Sequence, residues 1–310
     1  MSIVVIGASF VDIKGFPRDS YIPTGRNVGR IAYIHGGVAR NVAEDIANAE
    51  LRPTFLSIVD DSPLGGDVLR KLRNHKVNTD YMLTIPDGMG TWLAVFDNQG
   101  EVAGSISKRP NMLPLVELLE EKGDEIFSQA SSVVLEVDLD KEIVKRVFAL
   151  AERYGVKTFA LVSNMSIAVK RRDFLKRFDC FICNQQEAGM LFLEDYTGFS
   201  AERMRDILAE KVLRGGFRAM VVTLGAQGAV YADCNGYKGI CPARNVQVKD
   251  TTGAGDAFCA GVAIGLTYGK DLPGAIEIGS LLAASVITSS ENVCPRFHPA
   301  ELGLDGFQLR

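Results

Sequence analysis

The sequence has no long apolar segment and no excess of positive charge. No stretch of its 310 residues approaches the ~20 consecutive apolar residues that a membrane span needs. Lys and Arg number 34 against 38 Asp and Glu, which gives a formal net charge of −4. Proteins that bind nucleic-acid polymers or anionic membrane surfaces usually carry a basic excess. We therefore expect neither a nucleic acid nor a membrane as a partner.

Cysteine is sparse, and the first residues lack the features of an export signal. Six cysteines in 310 residues are too few for a disulfide scaffold. The segment Met1–Gly7 (MSIVVIG) has no basic region and no cleavage pattern, and its apolar run is typical of a first strand. We expect a cytoplasmic protein whose cysteines are reduced.

Two common nucleotide-binding motifs are also missing. The P-loop pattern G-x-x-x-x-G-K-[ST] occurs nowhere in the sequence. The first predicted strand runs into Gly7-Ala8-Ser9-Phe10 instead of the G-x-G-x-x-G fingerprint of dinucleotide-binding proteins. These absences disfavour P-loop nucleotidases and nicotinamide-dependent oxidoreductases.

Short apolar runs alternate with helical patterns along most of the chain. Strands that are apolar throughout are typical of parallel sheets covered on both faces. Alternation of strands and helices is typical of βαβ units. We predict one α/β domain over residues 1–310, with a doubly wound, mostly parallel sheet flanked by helices. The predicted strands are Ile3–Gly7, Thr54–Val59, Val133–Val137, Lys157–Val162, Cys180–Cys183, Met220–Leu224 and Val246–Asp250, and the predicted helices include Val38–Ala49, Leu64–Asn74, Lys141–Tyr154 and Ala201–Arg214.

Two further segments have the period-two pattern of exposed strands. They are Gly29–His35 and Thr91–Ser107, and the second contains a hairpin-turn candidate at Asp97–Gly100. We predict a small antiparallel sheet beside the main one, built from insertions at about residues 12–35 and 88–108 and acting as a lid.

The segment Asp250–Asp256 (DTTGAGD) places a glycine-rich turn at the start of a helix of small residues. Gly253 and Gly255 allow a ligand close to the backbone, and the first N–H groups of the helix form an anion site with the helix dipole. Asp256, in the first turn, could take a proton from an attacking hydroxyl. The residues alone leave another interpretation open, in which Thr252 is an N-cap, Asp256 complements the dipole and the glycines only pack closely.

Three other motifs accompany this turn. They are Gly36–Asn41 (GGVARN), Asn184–Glu187 (NQQE) and Thr223–Gly228 (TLGAQG). Together and in this order, the four motifs resemble those of the ribokinase-like (PfkB) family of carbohydrate and nucleoside kinases. The resemblance extends over nearly the whole chain and implies a ribokinase-like fold with ATP and Mg²⁺ as cofactors.

The resemblance implies a role for each residue that handles the phosphoryl group. Asp256 matches the catalytic base of the family. The other matching groups are the anion hole of Gly253, Ala254 and Gly255, the nucleotide loop of Thr223, Gly225 and Gly228, the Mg²⁺ site of Asn184 and Glu187, which act through water, and a monovalent-cation (K⁺) site of Asp250 and Thr252. A helix cap at Asn184–Glu187 and a plain turn at Thr223–Gly228 are the structural alternatives.

The resemblance also implies an acceptor site. Asp12 matches a carboxylate that binds two sugar hydroxyls, and Gly36 and Gly37 let the chain pass close to the sugar. Asn41 would contact a hydroxyl, and Glu136 matches an acidic sugar-site position. The structural alternatives are a turn or helix cap at Asp12 and a solvated strand end at Glu136.

The acceptor itself is less well defined by the motifs. The segments Val11–Gly15 and Gly36–Asn41 are similar to the pseudouridine kinase branch, whereas Lys108–Met112 and Ala160–Ser163 depart from it. Lys108 and Arg109 could instead bind a phosphate of a sugar-phosphate acceptor.

We therefore expect transfer of the γ-phosphate of ATP to a primary hydroxyl of a ribosyl sugar or nucleoside, with the 5′-hydroxyl of pseudouridine as the first candidate. The alternatives are a kinase of another sugar, nucleoside or sugar phosphate, and a catalytically silent sensor on the same fold. The resemblance also implies a homodimer formed through the lid.

Overall fold

The computed structural model describes residues 1–304. The strands in this range are β1 (Ile3–Ile6), β2 (Phe10–Pro17), β3 (Gly29–Gly36), β4 (Thr54–Leu56), β5 (Ile58–Val59), β6 (Leu83–Thr84), β7 (Gly90–Phe96), β8 (Val102–Lys108), β9 (Ser132–Glu136), β10 (Lys157–Leu161), β11 (Cys180–Asn184), β12 (Ala219–Thr223), β13 (Ala229–Asp233) and β14 (Lys238–Cys241). The α-helices are α1 (Val38–Asn48), α2 (Pro63–Asn74), α3 (Pro114–Phe127), α4 (Lys141–Tyr154), α5 (Met165–Ala168), α6 (Arg172–Leu175), α7 (Gln185–Phe192), α8 (Ala201–Gly215), α9 (Ala254–Thr267) and α10 (Leu272–Ile287).

The main sheet has eight strands in the order β14-β13-β12-β11-β10-β9-β1-β4. The strands from β12 to β4 pair in parallel, and β13 and β14 add an antiparallel edge. The prediction of a doubly wound, mostly parallel sheet is confirmed. Because carboxyl ends of parallel strands share one edge, the ends of β9, β11 and β12 lie on the same side of the sheet.

Helices cover both faces of this sheet, which explains why its strands are apolar throughout. Along β1, Val4 and Ile6 belong to one buried cluster, whereas Ile3 and Val5 belong to a second cluster on the opposite face. The first cluster includes side chains of α3, α4, α7 and α8, and the second includes side chains of α1, α2, α9 and α10. No helix within residues 1–304 combines the length and the apolar character of a membrane span.

A separate four-stranded sheet has the order β3-β2-β7-β8. Its β2–β3 and β7–β8 pairs are antiparallel, as predicted, whereas β2 and β7 run in parallel. The predicted hairpin turn at Asp97–Gly100 is present: Asp97 accepts hydrogen bonds from the N–H groups of Gln99 and Glu101. The small sheet predicted from the period-two segments is therefore confirmed.

Two predicted strands differ in the structure. Val246–Asp250 forms no strand, because the N–H of Lys249 is donated to the Ile287 carbonyl at the end of α10 instead of to a neighbouring strand. The alternation of Val246 and Val248 arises because both side chains line a cavity. The predicted strand Thr54–Val59 is divided, and its two halves, β4 and β5, belong to different sheets.

Candidate active site

Asp256 lies in the first turn of α9, at the carboxyl edge of the main sheet. The helix begins at Gly253, whose backbone is left-handed with φ of 82°. Small residues let α9 pack directly against α10: a Cβ at Gly261 would lie 2.6 Å from the Cα of Gly279. The Asp256 side chain is half-buried, and burial raises the pKa of its carboxyl to about 6. A carboxyl with this pKa is mostly ionised at neutral pH. Its pKa is also near enough to that pH for the carboxylate to accept a proton as a general base.

Asn41, on α1, holds this carboxyl. Its Nδ2 donates a hydrogen bond of 2.6 Å to Oδ2 of Asp256. Its Oδ1 accepts hydrogen bonds from the guanidinium of Arg40 and, at 3.2 Å, from Nδ2 of Asn292. Since Arg40 can only donate, the amide oxygen of Asn41 must face it, and the amide nitrogen is thereby turned towards Asp256.

Arg40 was not recognised as a site residue from the sequence. Its guanidinium is fully buried and pairs with the equally buried Glu44. It also donates to the carbonyl oxygens of His35, at 2.9 Å, and Gly36, at 3.2 Å, where β3 of the small sheet ends. A buried arginine is costly unless its donors are satisfied. The hydrogen bonds and the ion pair of Arg40 therefore fix the end of β3, the start of α1 and the orientation of Asn41 together.

The other predicted acceptor residues surround the start of α1. Asp12 lies within β2, and the structure thus gives it neither of the cap positions that were the alternative. A Cβ at Gly36 would lie 2.8 Å from Oδ1 of Asp12, and Gly37, the N-cap of α1, has φ of 97°. Burial raises the pKa of Asp12. Glycine is thus required at position 36 by the close approach of the Asp12 side chain, and at position 37 by the positive φ.

Glu136 ends β9 in a buried position, which rules out a solvated strand end. Its Oε2 accepts a 2.9 Å hydrogen bond from the N–H of Ala8, and a Cβ at Gly7 would lie 2.5 Å from the same oxygen. Burial, aided by the negative charge of Asp138, raises the pKa of Glu136 to about 8. This carboxyl thus keeps its proton to a higher pH than an exposed glutamate, and in that form it has an O–H to donate. It borders a cavity of about 330 Å³.

A second cavity, of about 560 Å³, brings together the predicted nucleotide loop and the start of α9. Thr223, Gly225 and Gly228 line it from β12 and the following turn, and Ala254 and Gly255 line it from the helix. Gly225 and Gly228 have φ values of 56° and 89°. The N–H of Ala254 is donated to the Thr251 carbonyl at 3.2 Å. The volume is in the range of small-molecule sites.

Asn184 and Glu187 form a capping box at the start of α7. Oδ1 of Asn184 accepts from the N–H of Glu187 at 2.9 Å, and Oε2 of Glu187 accepts from the N–H of Asn184 at 2.8 Å. The structural alternative for this motif is therefore present. It uses one carboxylate oxygen of Glu187 and leaves Oε1 for another ligand. Besides burial, the negative charge of Glu187 contributes to the raised pKa of Asp256.

The donor set fits a magnesium ion held mainly by water and nucleotide. Within residues 1–304, no group of three His, Cys, Asp or Glu side chains could enclose a metal. Mg²⁺ usually retains several waters and binds proteins through one or two carboxylates together with substrate phosphates. A single carboxylate at Glu187 with the adjacent amide of Asn184 meets that requirement.

Asp250 and Thr252 are exposed and lie on the other side of the turn. Oδ1 of Asp250 accepts a 2.8 Å hydrogen bond from the N–H of Thr252, and this bond holds the pKa of Asp250 below its ordinary value. Both residues line a cavity of about 400 Å³ that also contains Lys14 and His35. Neither residue of this pair lines the nucleotide cavity, although Thr251 between them does, and the positive charge of Lys14 opposes a bound cation.

The sequence and the fold can both be compared with known proteins. The chain is 34% identical over 297 residues to a guanosine-inosine kinase of Exiguobacterium acetylicum, covering 94% of this chain and 95% of the relative. It is 27% identical to a pseudouridine kinase of Escherichia coli strain K12, covering 84% and 82% of the two chains. The structure of an Arabidopsis thaliana ribokinase complexed with ribose and ATP superposes with a TM-score of 0.83 at 20% identity, over 98% and 99% of the two chains.

A family model provides the assignment. The model described as pfkB family carbohydrate kinase matches residues 1–294, and the ribokinase-like architecture agrees with the eight-stranded sheet and the separate small sheet. The predicted class, a phosphotransferase that acts on an alcohol group, agrees with these relatives. The chain belongs to the pfkB family of carbohydrate and nucleoside kinases.

Proposed function

We propose that this kinase transfers the γ-phosphoryl group of ATP to the 5′-hydroxyl of a nucleoside. Asp256 takes the proton of the attacking hydroxyl, and the backbone of Gly253, Ala254 and Gly255 binds the transferring group. Preorganised N–H donors in a water-poor site stabilise charge that develops as the phosphoryl group moves. Mg²⁺, bound through water to Asn184 and Glu187, would offset the charge of the ATP phosphates.

One observation carries this proposal: Asp256 faces both halves of the site. Its carboxyl contacts Asn41 on the acceptor side, at 2.6 Å. Its own helix, α9, contributes Ala254 and Gly255 to the 560 Å³ cavity. A carboxyl with a pKa of about 6 between a hydroxyl-binding half and a phosphate-binding half is suited to remove a proton during in-line transfer.

The acceptor side favours a nucleoside over a simple sugar. Asp12, Gly36, Gly37 and Asn41 would bind the ribose, and the cavity beside Glu136 adds room beyond it. Two acceptor classes are supported by relatives: purine nucleosides by the 34% identical guanosine-inosine kinase, and pseudouridine by the 27% identical pseudouridine kinase. We place guanosine and inosine ahead of pseudouridine because the similarity to the first relative is greater and extends further.

The four-stranded sheet would close over the acceptor as a lid and exclude water from the transfer. We also propose a homodimer, in the cytoplasm, through this sheet. Large apolar side chains on one of its faces are exposed, among them Ile31 at 65%, Tyr33 at 58% and Ile106 at 71%. Light scattering would give the mass of a dimer, and Ile106→Glu would return the mass to that of a monomer.

The K⁺ site at Asp250 and Thr252 remains a proposal, and equal activity in Na⁺ and K⁺ would exclude it.

The test is ADP release from Mg·ATP with guanosine, inosine, pseudouridine, uridine, adenosine, ribose, fructose and fructose 6-phosphate as acceptors. Asp256→Asn is the catalytic variant, and we expect it to fold and to lose activity by about 100-fold or more. Asp271→Asn is the control, because Asp271 caps α10 at Gly274 and lies outside the site.

Turnover of nucleosides that depends on Asp256 would support the proposal. Turnover of fructose 6-phosphate alone would replace the nucleoside with a sugar phosphate. Nucleoside binding without ADP release would identify a sensor, and near wild-type turnover by Asp256→Asn would contradict the role of this residue as the base.

A further inference from the structure

The cavity beside Glu136 contains polar groups that no step of phosphoryl transfer uses. It measures about 330 Å³ and lies where β9 and β10 end, next to the predicted acceptor residues. Phe10 and Met112 provide apolar surface, and Arg109 and Asp138 provide charges of opposite sign. A cavity of mixed apolar and polar lining that adjoins a ribose site is suited to a flat, polar-edged group attached to that ribose.

Asp138 is held rigidly and still has acceptor capacity. Its side chain is 2% exposed. The N–H of Ser163 donates to its Oδ1 and the Ser163 hydroxyl donates to its Oδ2, both at 3.0 Å. Each oxygen of an ionised carboxylate can accept two hydrogen bonds. The carboxylate is therefore fixed in place with one acceptor site left on each oxygen.

Arg109 faces this carboxylate with its donors unused. Its guanidinium lies 4.0 Å from Oδ2 of Asp138, which is too long for a hydrogen bond, and its side chain is 48% exposed. In residues 1–304 this is the sole polar contact of the guanidinium. The other arginine of the cavity, Arg171, differs: it donates to the carbonyl oxygens of Val137 and Leu139 and so supports the backbone.

We propose that Arg109 and Asp138 read the nucleobase and select bases in which a ring carbonyl stands next to a ring N–H. Arg109 donates to the carbonyl oxygen, and Asp138 accepts from the N–H. Hypoxanthine, guanine and uracil rings present this pair of groups. This inference rests on the proposed function, since it assumes that the acceptor is a nucleoside.

Adenine and cytosine present the opposite pattern. An exocyclic amino group takes the place of the carbonyl, and an unprotonated ring nitrogen takes the place of the N–H. Donor would then face donor at Arg109 and acceptor would face acceptor at Asp138. Polar groups left unpaired in a site cost binding free energy, and sites built to hydrogen-bond one substrate reject analogues that lack the matching group.

Inosine and adenosine provide the sharpest comparison, because they differ only at these two positions of the base. We expect the wild-type protein to prefer inosine by about 100-fold or more, both in kcat/KM and in Kd measured by calorimetry with a non-hydrolysable ATP analogue. Comparison of guanosine with uridine and pseudouridine then shows whether the cavity accepts purine bases, pyrimidine bases or both. Ribose has no base and reports on the kinase reaction alone.

Two variants test the two residues. Arg109→Ala should lower kcat/KM for inosine by about tenfold or more, since it removes a charged donor to the carbonyl oxygen of the base. It should leave ribose nearly unchanged and should keep or raise kcat/KM for adenosine, because it removes the donor that faces the amino group of adenine. Asp138→Asn can keep the bonds to Ser163, and it should shift the inosine-to-adenosine ratio towards adenosine. Lys108→Ala is the matched control, because Lys108 pairs with Asp87 and does not line the cavity.

The outcomes separate this inference from the proposed function. An inosine-to-adenosine ratio that is the same in Arg109→Ala, Asp138→Asn and the wild-type protein would overturn the inference while ADP release left the kinase intact. The predicted preference in Kd without ADP release would support base reading and contradict the proposed activity. Loss of inosine turnover in Lys108→Ala equal to that in Arg109→Ala would also overturn the inference, because it would indicate a general effect of positive charge.

Discussion

The Nδ2 atom of Asn41 lies 2.6 Å from Oδ2 of Asp256, although the two residues are 215 positions apart in the chain. A hydrogen bond to the ionised form of a carboxyl stabilises that form and lowers its pKa. Burial acts in the opposite direction, and the balance of the two leaves the pKa of Asp256 at about 6. A residue of the proposed acceptor half thus tunes the proton affinity of a residue in the proposed phosphate half.

The first prediction concerns the pH dependence of turnover. Because Asp256 must be ionised to act as a base, kcat/KM for the acceptor should rise with pH through a midpoint near 6. Asn41→Ala removes a donor to the ionised form, so the midpoint should move to higher pH. The variant should therefore lose more of its kcat/KM at about pH 6 than at about pH 8, as measured by initial rates over a range of acceptor concentrations.

Asn48→Ala is the control for this variant. Asn48 is also on α1 and buried, but its amide donates to the Cys294 carbonyl, far from the carboxyl of Asp256. This substitution should lower thermal stability and leave the midpoint unchanged. An unshifted midpoint in Asn41→Ala would show that the hydrogen bond has no influence on the base.

The second prediction compares two glycines of the proposed anion hole. A Cβ at Gly255 would meet no atom within 4 Å, whereas a Cβ at Gly253 would overlap the Asn292 carbonyl and would require a left-handed backbone. Gly255→Ala should therefore keep or raise the melting temperature, since alanine favours a helix over glycine by about 0.5–1 kcal/mol. It should still lower kcat/KM for ATP by about tenfold or more, because the methyl group would occupy the proposed phosphate position.

Gly253→Ala should instead destabilise the protein by about 1 kcal/mol or more. Thermal melting with and without an ATP analogue distinguishes the two effects. Wild-type kcat/KM for ATP in Gly255→Ala would place the phosphate elsewhere.

The third prediction separates the two roles of Glu187. Glutamine at the same position can complete a capping box, so Glu187→Gln should melt at the wild-type temperature. It removes the negative charge, and the Mg²⁺ concentration for half-maximal activity should rise by about tenfold or more. Glu187→Ala should lose both the cap and the charge. Wild-type Mg²⁺ dependence in Glu187→Gln would reduce the motif to a helix cap.

The fourth prediction concerns stability and pH. The folded chain keeps a proton on Glu136 up to about pH 8, whereas the unfolded chain releases it near 4.5. Between about pH 4.5 and about pH 8 the folded state thus binds more protons than the unfolded state. The contribution of Glu136 to the free energy of unfolding therefore falls as the pH rises through this range.

Glu136→Gln should remove this dependence, because the amide does not ionise and can still accept from the N–H of Ala8. The melting temperature of the variant should decrease less than that of the wild-type protein between about pH 5 and about pH 8. Glu210→Gln, at an exposed residue of α8 paired with Arg214, should follow the wild-type curve. Parallel curves for Glu136→Gln and the wild-type protein would contradict the raised pKa.

The elements that follow a regular pattern were predictable from the sequence. Strands such as β9 and β10 are apolar on both faces, and helices such as α4 have a regular apolar stripe, so local pattern and tertiary environment agree. Val246–Asp250 has an equally strong alternation but no neighbouring strand. A period-two pattern reports that alternate side chains share an environment, and a cavity wall produces the same pattern as a sheet.

The motifs located Asp256 and the glycines, yet the groups that orient them were missed. Arg40 lies within the GGVARN motif, and its four acceptors are all within five residues of it, but its burial depends on the packing of other elements around the junction of β3 and α1. Asn292 is remote in sequence and has no motif of its own. Contacts of this kind depend on tertiary packing, and a single arginine or asparagine carries no periodic signal that would reveal them.

The direct packing of α9 on α10 has a consequence for how much sequence change each half of the site tolerates. At Gly261 and Gly279 a single added methyl group would force the two backbones apart and displace the turn that carries Asp256. Arg109 is half exposed at the mouth of its cavity, and nothing in the core depends on its side chain. Substitutions around the cavity of Asp138 should therefore be tolerated by the fold, whereas substitutions of the glycines between α9 and α10 should disrupt the turn that carries Asp256.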